Sequence, residues 1–315
     1  MTEQLSPDLI KAKVGSNLSE SSARLMRLAT YASVTVACIL IGAKFVAWMS
    51  TESVSLLSTL IDSLLDVAAS LINLIAVRHA LEPADREHRF GHGKAESLAG
   101  LAQSAFITGS AAFLFIEAGE RLFNPRDILN AEIGYSVMAL SIVLTIILVG
   151  FQRYVISKTN SVAIKADSMH YQMDILVNIG VVAALVMVSW SGLQWIDPVV
   201  AVLIAVYIVY GAWSIAKQSL HILMDHELPD EDRKKIKEIA LSHECVLGVH
   251  DLRTRTSGLN IFIQLHMELD GNIRLMDAHK IADEVELLIN TAFPMADVII
   301  HQDPEGLDEE TDHFN

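Results

Sequence analysis

The sequence predicts an α-helical membrane protein: six transmembrane helices followed by a small cytoplasmic α+β domain of αββαβ order. Three observations predict it. First, 52% of the 315 residues are hydrophobic and only 19% are charged, against about 25% charged in an ordinary soluble domain. The excess is concentrated, since 133–150 and 199–213 carry no charge at all, and a hydrocarbon core of ~30 Å takes about 20 such residues per helix. Second, the net charge of −15 is uneven: 228–315 holds 8 Lys+Arg against 19 Asp+Glu, and the remaining residues hold 15 against 19. Third, the apolar pattern changes character after Asp225, from long runs to short alternating ones. A simple soluble enzyme, a disordered chain and, with two cysteines, a secreted disulfide scaffold are excluded. Acidic surfaces also argue against nucleic acid, which binds through cationic side chains.

The elements follow in order. Residues 1–23 are polar and read as a flexible tail, with no compact signal peptide. Six apolar segments then span Leu28–Met49, Val54–Leu81, Lys94–Leu122, Ile133–Ile156, Tyr171–Trp190 and Pro198–Leu223. The first, fourth and sixth read as plain apolar helices; the second, third and fifth carry ionisable residues. These make a membrane domain over 24–226. The link 78–94 carries four Lys/Arg and the link 153–167 carries three, whereas 50–53 and 191–197 carry none. The positive-inside rule then places both termini in the cytoplasm, and an even helix count agrees.

The cytoplasmic domain is expected over 227–304. Residues 229–243 read as an amphipathic helix opened by Pro229 and a first turn of acids. Residues 249–257 and 260–269 alternate as paired strands do, with Gly258 at the turn. Residues 275–293 have helical spacing, and 297–304 is a short strand ended by Pro304. Two helices and three strands in about 75 residues form an open sandwich with helices on one face of a sheet. An acidic tail, 305–315, closes the chain.

The informative residues are those that break the apolar runs. Asp62 and Asp66 stand four apart in the second segment, on one helix face. His170 and Asp174 repeat that spacing in the fifth, and Asn73 and Asn178 extend the polar character of each helix. A charge at the bilayer centre costs ~2.5–3.5 kcal/mol even on a mild scale. Neither helix offers a nearby basic partner, so a cation is the direct candidate to offset it. Three carboxylates and one imidazole suit Zn²⁺, Cd²⁺, Mn²⁺ or Fe²⁺ better than Cu(I), which prefers sulfur; Cys38 is not placed to join them. Metal binding releases protons from its ligands, and an imidazole beside carboxylates can take protons near neutral pH. His170 and Asp174 are therefore the expected proton carriers. Glu117 and Glu120 have Arg121 within reach and are not counted as ligands. Asp85, His88 and His92 lie together in the loop between segments 2 and 3, a weak metal signal by spacing alone.

These features, with PADREHRFGHGKAESLA (83–99), SMHYQMD (168–174), HDLRTR (250–255) and IIHQDP (299–304), resemble the cation diffusion facilitator family, and within it the bacterial ferrous-iron/zinc efflux branch. The likeness covers Leu28–Pro304. It implies a homodimer in the bacterial inner membrane that exports divalent metal in exchange for protons by alternating access. It implies a transport site of Asp62, Asp66, His170 and Asp174. Relatives with His at the first of these are associated with tighter zinc selectivity, so Asp62 leaves Cd²⁺, Fe²⁺ and Mn²⁺ open beside Zn²⁺. It implies a second metal site at Asp85, His88 and His92. In the cytoplasmic domain it implies two ions, one held by His250, His266 and Asp303, the other by His279, His301 and the bridging Asp303. Lys94 and Asp225 would form a charge interlock, and Met169 would belong to a hydrophobic gate. His79, His221, His226, His243 and His313 read as incidental.

Two other classes compete. A membrane metalloenzyme of the zincin type would need H-E-x-x-H, which does not occur. A membrane-anchored metal sensor would use the acidic domain but leave the intramembrane quartet without a purpose. No Walker A string is present, which removes ATP as the expected drive, and no organic cofactor is expected. The partners expected are lipid, divalent metal, protons and a second copy of the chain.

Overall fold

The computed structural model describes residues 7–51, 54–123, 132–191 and 195–306. The chain divides into two compact units, one of residues 23–220 and the other from His221 onward, grouped with the first 22 residues.

The helical unit is built from α1 (Pro7–Thr51), α2 (Val54–Ala80), α3 (Lys94–Phe123), α4 (Glu132–Thr159), α5 (Val162–Ser191) and α6 (Ile196–Leu223). Five of these, among the described residues, are long and apolar enough to cross a membrane: α1, α2, α3, α4 and α6. The other, α5, runs 30 residues but carries Lys165, Asp167, His170 and Asp174 in its first half. It packs against α2, α3 and α4. Large apolar side chains such as Ile72 and Ile75 on α2, Phe113 and Ile116 on α3, and Tyr210 and Trp213 on α6 are exposed. The buried positions include Ser63, Ser70, Asn73, Gln152, Asp167 and His170. Apolar outside and polar inside is the arrangement a lipid solvent selects, because helices satisfy their own backbone and intramembrane ionisable groups face the bundle interior.

Three expectations change. The stretch 7–23, read as a tail, is helical from Pro7. Proline suits the first turn of a helix, and extending an existing helix needs no new nucleus. The link expected at 153–167 shrinks to Asn160 and Ser161. Asn160 takes the left-handed conformation (φ 51°) that ends α4. Ser161 Oγ accepts the Ile164 N–H at 3.2 Å, and Glu96 Oε1 accepts the Ala163 N–H at 3.3 Å, so α5 starts capped at Val162, nine residues before its apolar run. Finally, α1 is not plainly apolar: Lys44 Nζ donates to Ser63 Oγ of α2 at 2.5 Å.

The C-terminal unit holds α7 (Asp230–Leu241), β1 (Gly248–Ser257), β2 (Asn260–Leu269), α8 (Leu275–Ala292) and β3 (Ala296–Pro304). This is the expected αββαβ order, with each boundary within two residues. The sheet runs β1-β2-β3, with β1 antiparallel and β3 parallel to β2. Gly258 (φ 61°) opens the two-residue turn between Ser257 and Asn260, where a left-handed residue matches strand twist. Ile263, Leu265, Met267 and Leu269 of β2 point into one core with Ile236 and Ala240 of α7 and Ala278, Ala282, Val285 and Ile289 of α8. Alternation therefore sends His266 to the face away from the helices.

Candidate metal centres

In the helical unit, α2 and α5 bring Asp66, His170 and Asp174 together, with one ligand atom from each within 4.8 Å of the others. His170 Nε2 lies 3.0 Å from Asp66 Oδ1. The imidazole is buried, whereas both carboxylates are half-buried. Phe106 lies across the ring at 5.9 Å between centroids. The side chain of Asp62 lies outside the described residues, as do those of Glu117, Arg121 and His313 and the tail beyond Gly306. One turn before His170, the buried Asp167 accepts hydrogen bonds from Ser33 Oγ of α1 (2.5 Å), Gln152 Nε2 of α4 (2.7 Å) and Gln103 Nε2 of α3 (3.2 Å). This polar clamp ties the first turns of α5 to three other helices and so sets where His170 points. Met169 packs on α6 so closely that a Cβ on Gly211 would come within 1.7 Å of its Cε.

In the loop between α2 and α3, Asp85, His88 and His92 also offer ligand atoms within 4.8 Å of one another. Asp85 Oδ1 accepts the backbone N–H of Glu87 (2.8 Å) and of His88 (2.6 Å). The His88 N–H is the larger influence in holding this carboxyl below its usual range. The His88 and His92 rings stand 4.5 Å apart between centroids, and Gly91 makes the bend possible with φ 77°.

In the C-terminal unit, strand register assembles the site. His266 of β2 is directly opposite His250 of β1 and directly opposite His301 of β3, so three histidines form one row across the open face. Ring centroids are 5.2 Å and 4.6 Å apart along it. Two residues beyond His301 on the same face, the buried Asp303 meets all three: Oδ2 lies 2.8 Å from His266 Nδ1 and 3.5 Å from His250 Nε2, and Oδ1 lies 3.1 Å from His301 Nε2. His250, His266 and Asp303 qualify as a ligand group. A bulge between His250 and Arg253, with Asp251 at φ 43°, brings Asp251 Oδ2 to 3.7 Å from His266 Nε2. Arg253 clamps Asp251 at 2.7 and 3.0 Å, and that pairing holds the guanidinium pKa up.

Among the described residues, His279 is not brought to this row. It is exposed on α8, 3.6 Å from Asp283, because α8 packs against the inner face through Ala278 and Ala282 while the histidine row occupies the outer one. Asp225 and Lys94 lie in separate units; within its own unit Asp225 faces Arg255 at 3.4 Å.

The sequence matches the family described as "Cation efflux transmembrane domain" over residues 30–224 and "Cation efflux protein, cytoplasmic domain" over 228–305. The chain belongs to the cation efflux family. It is 48% identical over 282 residues to the cation-efflux pump FieF of Serratia proteamaculans, covering 90% of this chain and 94% of that protein. It is 49% identical over 286 residues to the FieF of Shewanella oneidensis, covering 91% and 96%. A solved chain from the structure titled "Mode of Action of a Putative Zinc Transporter CzrB (Zn form)" aligns over 27% of this chain and 98% of its own, at 33% identity and a TM-score of 0.26. This cation efflux protein is thus a multi-pass membrane transporter rather than an enzyme, with a helical transmembrane domain and a C-terminal cytoplasmic domain.

Sequence reasoning missed Asp167 and Asp251 as contributors to these centres, and missed the Lys44–Ser63 tie between α1 and α2. Lys44 was visible as a lone cation in an apolar run. Asp167 sat in a stretch read as a link, and Asp251 needs the bulge, which no spacing announces.

Proposed function

We propose that this protein exports divalent transition-metal cations from the bacterial cytoplasm in exchange for protons. The observation that carries this reading is the convergence of Asp66, His170 and Asp174 inside the helical unit. Two carboxylates and an imidazole in a bundle that buries polar groups have no better partner than a divalent cation, and Zn²⁺, Cd²⁺, Fe²⁺ and Mn²⁺ all accept such donors. Asp62, one turn before Asp66, completes a four-ligand set. The ion binds when the ligands lose protons and leaves when they regain them, with His170 and Asp174 as the carriers. FieF relatives bear the name of cation-efflux pumps over nearly the whole chain, which supports export as the direction.

In this reading both termini are cytoplasmic and the protein works as a homodimer. The histidine row with Asp303 holds regulatory metal: two or three imidazoles and one carboxylate fit Zn²⁺. Asp85, His88 and His92 form a further site. The 24–226, 227–304 and 305–315 segments are its membrane domain, cytoplasmic domain and acidic end, preceded by an N-terminal extension that is helical from Pro7.

Reconstituted vesicles test the proposal. Zn²⁺ flux is expected to depend on an opposing pH gradient and to vanish in Asp66→Ala. Absence of flux in sealed vesicles, with metal still bound, would overturn it in favour of a sensor. Competition among Zn²⁺, Cd²⁺, Fe²⁺ and Mn²⁺ in the same vesicles identifies the preferred ion.

A further inference from the structure

The loop between α2 and α3 contains a second set of donors beside Asp85 and His88. His79 occupies the last turn of α2, and Glu82 follows three residues later. The Glu82 N–H donates to the His79 carbonyl at 3.0 Å, which folds the chain back so that Glu82 Oε2 stands 2.7 Å from His79 Nδ1. His92, just before α3, brings its ring to 4.5 Å from that of His79 between centroids. His79, Glu82 and His92 each offer a ligand atom within 4.8 Å of the other two.

The second observation concerns His92 itself. Its side chain is only 5% exposed. Nε2 lies 3.4 Å from Asp85 Oδ2, while Nδ1 is buried and makes no hydrogen bond. A neutral imidazole has one donor and one acceptor nitrogen, and burying either without a partner forfeits its hydration for nothing. Coordination of a metal through Nδ1 would remove the deficit and leave the Nε2 proton for Asp85. Two imidazoles and one glutamate are a donor set that Zn²⁺ uses, with water in the fourth position; two nitrogen donors disfavour Ca²⁺ and Mg²⁺.

We infer that His79, Glu82 and His92 form a metal site of their own for a divalent transition cation, sharing only His92 with the Asp85–His88–His92 group. The loop thus contains two overlapping three-ligand sites. Its capacity to hold an ion survives the loss of Asp85 and His88. Because the readout is binding and not flux, the inference stands or falls separately from transport.

The test uses the full-length protein in detergent, stripped with chelator and titrated with Co²⁺. Bound ions are counted per chain and followed by visible absorption. The Asp85→Asn/His88→Gln variant is expected to bind one more Co²⁺ per chain than the variant that also carries His79→Gln and Glu82→Gln. The extra ion should show the absorption of a histidine-ligated, low-coordinate site. Equal counts in the two variants would overturn the inference. All four substituted side chains are about half exposed, so folding is expected to persist, checked by elution volume and melting. Should the fourfold variant fail to fold, His79→Gln alone in the Asp85→Asn/His88→Gln background should weaken loop binding at least ~10-fold. Unchanged affinity there would overturn the inference equally.

Discussion

The intramembrane and cytoplasmic centres use the same donors, imidazole and aspartate, on opposite kinds of scaffold. In the helical unit, Asp66 comes from α2, and His170 and Asp174 come from α5. The donors on α5 are fixed relative to each other by i,i+4 spacing, but their distance to Asp66 depends on how two helices sit. In the cytoplasmic unit, His250, His266 and His301 share one row of a hydrogen-bonded sheet, and Asp303 is buried beneath their rings. Moving one of these ligands means breaking ladder hydrogen bonds; moving a helix means only sliding side chains past each other. The first scaffold lets the separation between donors change as its helices slide, and the second sets its donors by strand register.

The largest expected effect separates the two directly. Asp174→Asn removes a proposed ligand from the compliant site, and Zn²⁺ flux should fall by more than ~100-fold, beyond the 10–100-fold typical of losing a mere outer partner. Asp303→Asn should instead remove metal from the cytoplasmic unit while flux remains measurable. Counting bound Zn²⁺ and measuring flux on the same preparations checks both. Equal loss of flux in the two variants would break the distinction drawn between them.

A smaller effect probes how tightly the helices around α5 are set. A Cβ on Gly100 of α3 would lie 2.8 Å from Ser219 Oγ and 2.9 Å from Val162 Cγ1. Both side chains are short, and valine is stiff at χ1. Gly100→Ala should therefore cost about 1–3 kcal/mol by overpacking. On the same helix Gly109 has nothing within 4 Å, so Gly109→Ala should gain up to about 1 kcal/mol of helix propensity. Thermal unfolding in detergent should place the two variants on opposite sides of the parent chain.

The smallest effect is a pH dependence shared by a loop in each unit. Asp85 is held below the usual carboxylate range chiefly by the His88 N–H, and Asp270 chiefly by the N–H of Asn272. A carboxyl whose pKa is lower in the folded than in the unfolded chain stabilises the fold above its unfolded value of about 3.9. That contribution disappears as pH falls through the depressed folded value. Asp270→Ala should thus melt below the parent at pH 7, and the gap should close under strongly acidic conditions. Melting curves in chelator across pH measure it, and a gap that persisted at low pH would point to packing instead.

The family resemblance alone pointed to His250, His266 and His301; periodicity and residue chemistry, read along the chain, were enough to locate six helices and the αββαβ order, and to single out Asp66, His170 and Asp174 as candidates. These are local properties: an apolar run, an i,i+4 pair or an alternating strand announces itself within one element. The ends of α4 and α5 were less legible, because Asn160, Ser161 and Glu96 set them through caps that hydropathy does not register. Convergence belonged to packing alone. Register placed His250 and His301 on either side of His266, the inner face of α8 turned His279 away, and the fold-back after α2 made a partner of His79, a histidine that had looked incidental. Each of these outcomes depends on which distant segments pair and in what alignment, and no single stretch of chain encodes that.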